Sequence, residues 1–255
     1  MKHLEGKRIF VTGAGGALGR ASSVLFAREG AAVAVVDIST EAAEETRRLI
    51  EAEGGIAVAI TADVRDEDQV REASGTAARE LGGLDTLFNN AGIMPHQDTS
   101  FLDGDLELWH LISSINLDGT MLCSKYVVPH IIEAGGGAVL NMSSFLAVLG
   151  CSFPQDGYAA SKGAISSLTR SMAVQLGPRG IRVNGMAPGP VLTAHVEQFF
   201  PDPGARRVRL DRVPLGRFGA PDDVAGLASF LVSDNATWIT GQVIVIDGGI
   251  SSNYL

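Results

Sequence analysis

Short apolar runs alternate along the chain with longer segments whose apolar residues recur at helical spacing. The short runs predict seven strands: RIFVT at 8–12, AAVAVVD at 31–37, IAVAITAD at 56–63, LDTLFNN at 84–90, GAVLNMSS at 137–144, GIRVNGMAP at 180–188 and GQVIVIDGG at 241–249. Residues 33–36 and 243–246 are apolar at consecutive positions, without the alternation of a half-exposed strand. We therefore expect both faces of these two strands to be covered, as in a parallel sheet between helices.

The segments between the predicted strands contain signals for the start and the end of helices. In STEAAEETRRLIEAEGG, residues 39–55, Ser39 or Thr40 can cap a helix and Gly54 can end it. No fixed-period repeat, low-complexity tract or linker divides the sequence, and EAGGGA at 133–138 is typical of a turn. The pattern predicts an α/β doubly wound, Rossmann-like parallel sheet in one domain spanning residues 1–255.

Composition and charge narrow the possible functions. The formal charge of -9 and the short basic runs argue against a nucleic-acid partner, because such proteins depend on clustered Lys and Arg. The two cysteines, Cys123 and Cys151, form no CxxC or Cys/His cluster, so we expect neither a disulfide framework nor a metal site. No signal region or run of membrane-spanning length is present, which favours a soluble, cytoplasmic protein.

A glycine-rich segment, VTGAGGALGR at 11–20, follows the first predicted strand. Such a turn lets backbone N–H groups and the positive end of a helix approach a pyrophosphate. The dinucleotide fingerprint GxGxxG is incomplete, because Gly13 and Gly15 are followed by Leu18 where the third glycine belongs. A turn that only needs positive φ angles is the alternative.

Asp37 ends the second predicted strand, some twenty positions beyond the glycine-rich turn. An acidic side chain there can accept hydrogen bonds from the adenosine ribose and repel a 2'-phosphate. Charge-assisted hydrogen bonds of about 1.5 to 3 kcal/mol correspond to a preference for NAD over NADP of roughly 10 to 150-fold. Ile38 follows, so no adjacent basic residue offsets the charge. A carboxylate that simply favours a helix amino terminus is the alternative.

Tyr158 and Lys162 are four positions apart in DGYAASKGA, residues 156–164. Residues at this spacing share one face of a helix, and the small residues around them leave that face open to a ligand. A neighbouring ammonium favours the phenolate form of tyrosine and makes it suitable for acid/base catalysis. Surface packing of a lysine stem along a tyrosine ring is the alternative.

Together, six segments resemble the short-chain dehydrogenase/reductase family: TGAGGALG, NNAG at 89–92, Asn116, NMSS at 141–144, YAASK at 158–162 and PGPVLT at 188–193. They occur in the order typical of the family and span nearly the whole chain. The resemblance implies a seven-stranded sheet in the order 3-2-1-4-5-6-7. It also implies a homotetramer. The apolar faces of the helix around 157–176 and of the final strand suggest surface that is buried between subunits.

The resemblance implies a catalytic role for four residues. Tyr158 would exchange a proton with the substrate oxygen, and Lys162 would lower the pKa of Tyr158 and hold the nicotinamide ribose. Ser144 would steady the substrate oxygen, with Ser143 as the alternative because the spacing between Ser144 and Tyr158 is slightly longer than usual. Asn116 would bind a water that links Lys162 to solvent, and Gly119 suggests that the helix around it is distorted.

The resemblance also implies the residues that bind NAD. They follow the ends of the strands and comprise Gly13, Gly15, Ala17, Leu18, Gly19, Asp37, Ile38, Asp63, Val64, Asn90, Ala91, Gly92, Pro188, Gly189, Val191 and Thr193, with Tyr158 and Lys162 at the nicotinamide end. One position departs from the family pattern GxxxGxG, because Ala17 stands where a glycine is usual. Its methyl group must be accommodated close to the pyrophosphate.

The substrate site is less well determined by the sequence. By resemblance, residues 193–217 form a mobile lid over the substrate. Apolar and loop residues there and near the active site are candidate pocket walls: Met94, Pro95, His96, Leu146, Phe153, Val196, Phe199 and Phe200. The phenylalanines of the lid could instead pack beneath it as a small core, and His96 could be an unexceptional polar loop residue.

These features predict an NAD-dependent oxidoreductase that acts on a secondary alcohol or ketone, cyclic or hydrophobic. A 3-ketoacyl thioester reductase of the same family is an alternative, although such enzymes usually prefer NADPH, which Asp37 disfavours. A protein that binds the dinucleotide without catalysis is a further alternative. Such a protein would be expected to lack the tyrosine or the lysine of the pair. Both residues are present.

Overall fold

The computed structural model describes residues 2–193, 197 and 202–253. Its centre is a seven-stranded parallel sheet with the strand order β3-β2-β1-β4-β5-β6-β7. The strands are β1 (Arg8–Thr12), β2 (Ala32–Asp37), β3 (Ile56–Thr61), β4 (Thr86–Asn89), β5 (Gly137–Met142), β6 (Ile181–Pro188) and β7 (Val243–Ile246). Each strand lies within one of the seven predicted runs, and the predicted order is confirmed.

Helices connect the strands and cover the sheet. They are α1 (Ala17–Arg28), α2 (Thr40–Ala52), α3 (Glu67–Leu81), α4 (Leu106–Ser113), α5 (Gly119–Glu133), α6 (Asp156–Leu176), α7 (Pro203–Leu210) and α8 (Pro221–Val232). A π-helical turn, Ser114–Asp118, joins α4 to α5, and short 3-10 turns occupy Phe145–Ala147, Gly177–Arg179, Asp234–Ala236 and Ile250–Ser252. In the described ranges no helix is long and apolar enough to cross a membrane.

The sheet has an apolar core on each face. On β2, Val33 and Val35 belong to the core beneath α1, α2 and α8, whereas Ala34 and Val36 belong to the core beneath α3 and α5. Residues that alternate along one strand therefore enter different cores, which is why the strand is apolar at every position. The expectation that both faces of β2 are covered is confirmed.

The same expectation is wrong for β7 within the chain as described. Val245 is partly exposed and its neighbours in the strand are only half-buried. β7 is an edge strand that pairs with β6 alone, so fewer elements of the chain are available to cover it.

Local chemistry sets the bounds of the second helix as predicted. The Ser39 hydroxyl accepts a hydrogen bond from the Ala42 N–H, 3.2 Å away, and is therefore the amino-terminal cap of α2. Gly54, just beyond the last turn, has φ of +79°, a conformation that favours glycine. The chain reverses there and enters β3.

The strand order reverses direction at β1, which lies between β2 and β4. In open parallel sheets, ligands bind beyond the carboxyl ends of the strands at such a reversal. The glycine-rich turn follows β1, Asp37 ends β2, and Asn90 follows β4. The fold therefore brings the predicted site residues to one edge of the sheet.

Candidate active site

The candidate catalytic pair, Tyr158 and Lys162, lies on the first turns of α6. The Lys162 ammonium is 5.6 Å from the centre of the Tyr158 ring, so both side chains occupy the same helix face as predicted. Lys162 is only 2% exposed, and its Nζ donates a hydrogen bond to the Met142 carbonyl at the end of β5, 2.7 Å away. Burial and this hydrogen bond hold Lys162 beside Tyr158. A lysine stem that merely packs along a tyrosine ring at the surface would be exposed to solvent instead.

The two candidate serines have different partners. Ser144 hydrogen-bonds the Tyr158 side chain, and its hydroxyl also accepts from the Leu146 N–H at 3.2 Å. Ser143 instead donates to the Lys162 carbonyl at 3.0 Å and lies 2.7 Å from the Ser166 hydroxyl. The geometry therefore favours Ser144 as the residue that shares a ligand oxygen with Tyr158. Ser143 anchors the backbone of the catalytic helix to β5.

Asn116 lies in the π-helical turn between α4 and α5. Its side-chain amide exchanges two hydrogen bonds with the Ile93 backbone and donates a third to the Ser161 hydroxyl. The main-chain carbonyl of Asn116 accepts from the Thr120 hydroxyl at 2.8 Å. The side chain of Asn116 is thus committed to three hydrogen bonds within the protein, and the relay water at this residue stays a prediction.

Gly92 brings Asn116 and Lys162 to one place. A Cβ on Gly92 would lie 3.2 Å from Asn116 Oδ1 and 3.3 Å from Lys162 Nζ, so both side chains pack against the bare glycine backbone. The site therefore gathers Asn116, Ser144, Tyr158 and Lys162, the four predicted catalytic residues.

The environment shifts the two catalytic pKa values. Burial raises the pKa of Tyr158, and the hydrogen bond from Ser144 opposes that shift. Burial also lowers the pKa of Lys162 to about 8. The stabilisation of the phenolate by Lys162 and an oxidised nicotinamide stays a prediction, since burial dominates the shift of Tyr158 here.

The glycine-rich turn forms a cradle that side chains would fill. A Cβ on Gly15 would lie 2.5 Å from the Ala42 Cβ, and one on Gly19 would collide with the Gly13 carbonyl. Gly13 has φ of +60°. No side chain caps α1, whose amino-terminal cap is Gly16. The backbone can therefore approach an anion at this helix end.

Ala17 and Leu18 begin α1 within the cradle. Ala17, the departure from the family pattern, is exposed and Leu18 is half-buried. The methyl group of Ala17 is therefore accessible to solvent and does not fill a gap within the protein.

Asp37 faces the same cradle. Its two carboxylate oxygens accept hydrogen bonds from the Gly15 and Ser39 N–H groups, each 2.9 Å away. The side chain is thereby fixed where β2 ends, next to the exposed Ile38. This carboxylate is positioned to accept further hydrogen bonds from hydroxyl groups and to repel a phosphate.

Asp63 and Val64 follow β3. The Arg65 guanidinium pairs with Asp63 and holds the pKa of that carboxyl below its usual range. Val64 is buried against Gly119, where a Cβ would lie 2.7 Å from Val64 Cγ2. The predicted adenine end thus packs directly on the start of α5.

The segment after β4 is tied to the glycine-rich turn. The Asn90 amide donates to the Thr12 and Gly13 carbonyls at 2.9 and 3.0 Å. The Thr12 hydroxyl accepts from the Asn90 and Ala91 N–H groups. The Asn90 side chain therefore supports the shape of the cradle by binding the backbone carbonyls of the glycine-rich turn.

The segment after β6 is held against the carboxyl-terminal part of the chain. Pro188 ends β6, and a Cβ on Gly189 would lie 2.5 Å from the Asp247 Cβ. Val191 is buried and forms a bridge with Gly219, and Thr193 is half-buried. These four positions lie next to one another along one edge of the site.

The candidate substrate residues are only partly described. Leu146 is buried, Met94 and Pro95 are half-buried, and His96 and Phe153 are exposed. Val196, Phe199 and Phe200 lie outside the described residues. A cavity of about 440 Å³ opens beside the end of β6, lined by Leu192, Arg206, Leu210, Gly216, Arg217, Phe218, Gly219 and Ala220. In the described part of the chain no group of His, Cys, Asp and Glu is arranged to hold a metal ion.

Comparison with known proteins places this site in a family. A family model described as "Enoyl-(Acyl carrier protein) reductase" matches residues 13–251. The 3-oxoacyl-(acyl-carrier-protein) reductase of Thermotoga maritima is 39% identical over 247 residues, which cover 97% of this chain and 98% of the relative. The chain belongs to the short-chain dehydrogenase/reductase family. The family resemblance predicted from the sequence is therefore confirmed.

Other members of the short-chain dehydrogenase/reductase family are similarly close. The cis-4-hydroxycyclohexanecarboxylate dehydrogenase of Sinomonas cyclohexanicum is 37% identical over 242 residues, 95% of each chain. A solved 7α-hydroxysteroid dehydrogenase, in complex with NADH and 7-oxo glycochenodeoxycholic acid, has a TM-score of 0.92 and 35% identity. That match covers 97% of this chain and 95% of the other. The protein is thus an oxidoreductase of this family.

Three supporting groups of this short-chain dehydrogenase/reductase were not predicted from the sequence. Ser161 links Asn116 to the Tyr158 carbonyl, Thr12 holds the segment after β4, and Asp98 contacts the start of α6. Ser161 lies within YAASK, so its position next to the catalytic pair was a usable signal. The partners of Thr12 and Asp98 are far away in sequence, and no local pattern identifies them.

Proposed function

We propose that the protein transfers a hydride between NAD(H) and a secondary alcohol or ketone, cyclic or hydrophobic, with Tyr158 as the acid/base. The observation that carries the proposal is the Tyr158 side chain, which hydrogen-bonds Ser144 and lies 5.6 Å from the buried Lys162 ammonium. This arrangement supplies a proton exchanger, a second hydrogen-bond donor and a positive charge at one point.

The residues present fit a dinucleotide. Gly15 and Gly19 leave room that a Cβ would fill, the start of α1 is uncapped, and Asp37 follows β2. Gly13, Asn90 and Gly92 would hold the pyrophosphate and nicotinamide side, Asp63 and Val64 the adenine, and Val191 and Thr193 the nicotinamide amide. When bound, the nicotinamide supplies the acceptor or donor of the hydride.

The protein residues would manage the proton and the charge on oxygen. In the oxidative direction the Tyr158 phenolate takes the proton of the substrate hydroxyl, and Ser144 donates a hydrogen bond to the same oxygen. The Lys162 ammonium favours the phenolate and, with the Asn116 carbonyl, provides a route by which the proton reaches solvent. Removing one such donor typically costs about 2.7 to 4 kcal/mol in the transition state.

Asp37 supports NAD as the preferred cofactor. Its carboxylate, held beside the glycine-rich turn, would repel a 2'-phosphate, and the residue that follows is Ile38, without positive charge. Both carboxylate oxygens are held by backbone N–H groups, so the side chain cannot easily turn away.

The names of relatives support a cyclic or hydrophobic substrate. They include enzymes named for a hydroxycyclohexanecarboxylate and a hydroxysteroid. We further propose that residues 193–217 act as a substrate lid, because Arg206 and Leu210 of α7 line the cavity near the end of β6.

A 3-ketoacyl thioester reductase is the second candidate function. It is favoured by the 39% identical relative and by the description of the matching family model. Its usual preference for NADPH conflicts with the position of Asp37.

A panel of cyclic and linear secondary alcohols, assayed with NAD and with NADP at the reduced nicotinamide band, tests the proposal. Parallel fluorescence titrations with NADH and NADPH measure the cofactor preference without a substrate. We expect reduction of NAD by cyclic alcohols and tighter binding of NADH than of NADPH. Tighter NADPH binding together with turnover of a 3-ketoacyl thioester alone would favour the second candidate. Cofactor binding without turnover of any alcohol, ketone or thioester would indicate a non-catalytic protein.

We also propose that the protein is a homotetramer. The half-buried, apolar β7 and the exposed Val174 on α6 leave apolar surface uncovered on the two faces whose apolar sequence suggests contacts between subunits.

A further inference from the structure

Asp98 reaches the start of the catalytic helix from a loop about sixty residues earlier in the chain. Its side chain accepts hydrogen bonds from two successive N–H groups of α6: Oδ1 from Gly157 at 3.1 Å and Oδ2 from Tyr158 at 2.8 Å. Asp98 is 8% exposed. The carboxylate therefore holds the backbone of the tyrosine itself.

The catalytic helix lacks a cap from its own sequence. Gln155 occupies the cap position and makes no side-chain hydrogen bond to the first turn. In most helices the side chain at that position accepts from the second or third N–H group, and here Asp98 does so instead. A charged acceptor at a helix amino terminus is also favoured by the helix dipole.

Gly157 allows the carboxylate to come this close. A Cβ on Gly157 would lie 3.2 Å from Asp98 Oδ1 and 3.1 Å from Ile112 Cδ1. The turn before Tyr158 is therefore packed tightly between the Asp98 loop and α4. A shift of this loop would be transmitted to the helix start.

The same loop is fixed at its other end by Asn116. The Asn116 side chain accepts from the Ile93 N–H and donates to the Ile93 carbonyl. The Asp98 N–H donates to the Pro95 carbonyl at 3.1 Å. Met94, Pro95 and His96, the candidate wall of the substrate site, therefore lie between two anchors, and each anchor involves a candidate catalytic residue.

We propose that Asp98 is a positioning residue that sets the place of Tyr158 relative to the substrate wall at residues 94–96. It touches no reacting atom and acts through the Tyr158 backbone. The inference rests on the proposed function, because the position of Tyr158 affects the rate only if Tyr158 is the acid/base. Displacement of a reacting group by about 1 Å can slow a reaction about a hundredfold.

The test compares three variants. Asp98→Ala removes both acceptors, and Asp98→Asn keeps one acceptor with the same shape. Asp156→Ala is the matched control, because Asp156 is on the same turn of α6 but its side chain accepts from the Phe101 N–H rather than from an N–H group of α6. The measurements are kcat and KM for an alcohol that the wild type oxidises, NADH affinity by fluorescence, and exchange of the Gly157 and Tyr158 amide hydrogens by mass spectrometry.

For Asp98→Ala we expect kcat to fall about ten- to a hundredfold, with NADH affinity unchanged within about twofold. Asp98→Asn should recover part of that loss, and Asp156→Ala should stay within about threefold of the wild type. Exchange of the two amides should be faster in Asp98→Ala and unchanged in Asp156→Ala.

A wild-type kcat in Asp98→Ala would overturn the inference, as would equal losses of kcat and of NADH affinity, which indicate general unfolding. If the wild type oxidises no alcohol, the proposed function fails. Amide exchange then still tests whether Asp98 holds the Gly157 and Tyr158 N–H groups. Unchanged exchange of the Gly157 and Tyr158 amides in Asp98→Ala would overturn the inference by itself.

Discussion

A single side chain at the end of β2, Asp37, is expected to set the preference between NAD and NADP. Asp37 shapes the glycine-rich turn by accepting a hydrogen bond from the Gly15 N–H. In the proposed function its negative charge would also repel the 2'-phosphate of NADP. Both effects come from one carboxylate. A variant that removes the charge but keeps the shape separates them.

Asp37→Asn is expected to lower the ratio of kcat/KM for NAD over NADP by roughly 10 to 150-fold, because the charge-assisted hydrogen bonds to the ribose and the repelling charge are both lost. Asp63→Asn is the matched control, since Asp63 is a carboxylate at the end of the neighbouring strand but is paired with Arg65. The ratio should change little in that control. Equal ratios in wild type and Asp37→Asn would contradict the assignment.

The lowered pKa of Lys162 predicts a dependence of stability on pH. In the folded state the pKa is about 8, against an ordinary value of 10.5, so the folded protein binds this proton more weakly than the unfolded chain. Burial of the charged lysine therefore costs stability below about pH 8. That cost, on the order of 3 kcal/mol, disappears as the pH rises towards the unfolded value.

Urea unfolding of wild type and Lys162→Met at about pH 7.5 and about pH 9.5 measures this effect. The variant should gain stability relative to the wild type at the lower pH, and the difference should shrink at the higher pH. The same difference at both values would mean that the Lys162 pKa is not lowered in the folded state.

At the scale of elements, the π-helical turn Ser114–Asp118 determines the position of Asn116. Its continuation into α5 depends on Gly119, which packs on Val64. The sequence suggested a distorted helix here because it contains both an asparagine and a glycine. The packing of Gly119 on Val64, after β3, is a contact between distant segments that no local pattern contains.

Gly119→Ala is expected to lower both the unfolding midpoint and the affinity for NADH, since the new Cβ would lie 2.7 Å from Val64 Cγ2. Gly75→Ala is the control, because Gly75 lies within α3 and a Cβ there meets no atom within 4 Å. That control should be neutral or stabilising by up to about 1 kcal/mol. Thermal unfolding and NADH fluorescence measure both effects, and a Gly119→Ala protein with wild-type values in both would refute the packing argument.

The seven strands were predictable because buried parallel strands are apolar on both faces and end in polar or turn residues. The positions of Tyr158 and Lys162 were predictable for a similar reason, since their spacing is that of one helical turn. Asp98 was not predictable, because it caps a helix that begins about sixty residues later. Local sequence determines element type, whereas contacts between distant loops determine how the elements are held.

At the scale of the whole molecule, several large apolar side chains are exposed, and no other part of the described chain covers them. Trp238 is 98% exposed and Val174 on α6 is 79% exposed, and Val245 of β7 is also accessible. The sequence predicted that β7 is covered on both faces. A neighbouring subunit is the expected cover, since the described chain supplies too little.

Sedimentation velocity should therefore give a species of four times the 26.6 kDa chain. Val174→Asp should shift the distribution to smaller species, because a charge would be buried in the contact. Val208→Asp is the control, as Val208 is also exposed but lies on α7, outside the two proposed faces. A wild-type protein that sediments only as 26.6 kDa would exclude the tetramer.

In the proposed function, the fold holds the Tyr158 phenol beside the Lys162 ammonium so that the phenol can exchange a proton with the substrate. Turnover of Tyr158→Phe, measured with NADH affinity in the same preparation, tests that claim most directly. The account predicts normal NADH binding and turnover at least about a hundredfold slower than in the wild type. Normal NADH binding with near-normal turnover would contradict it.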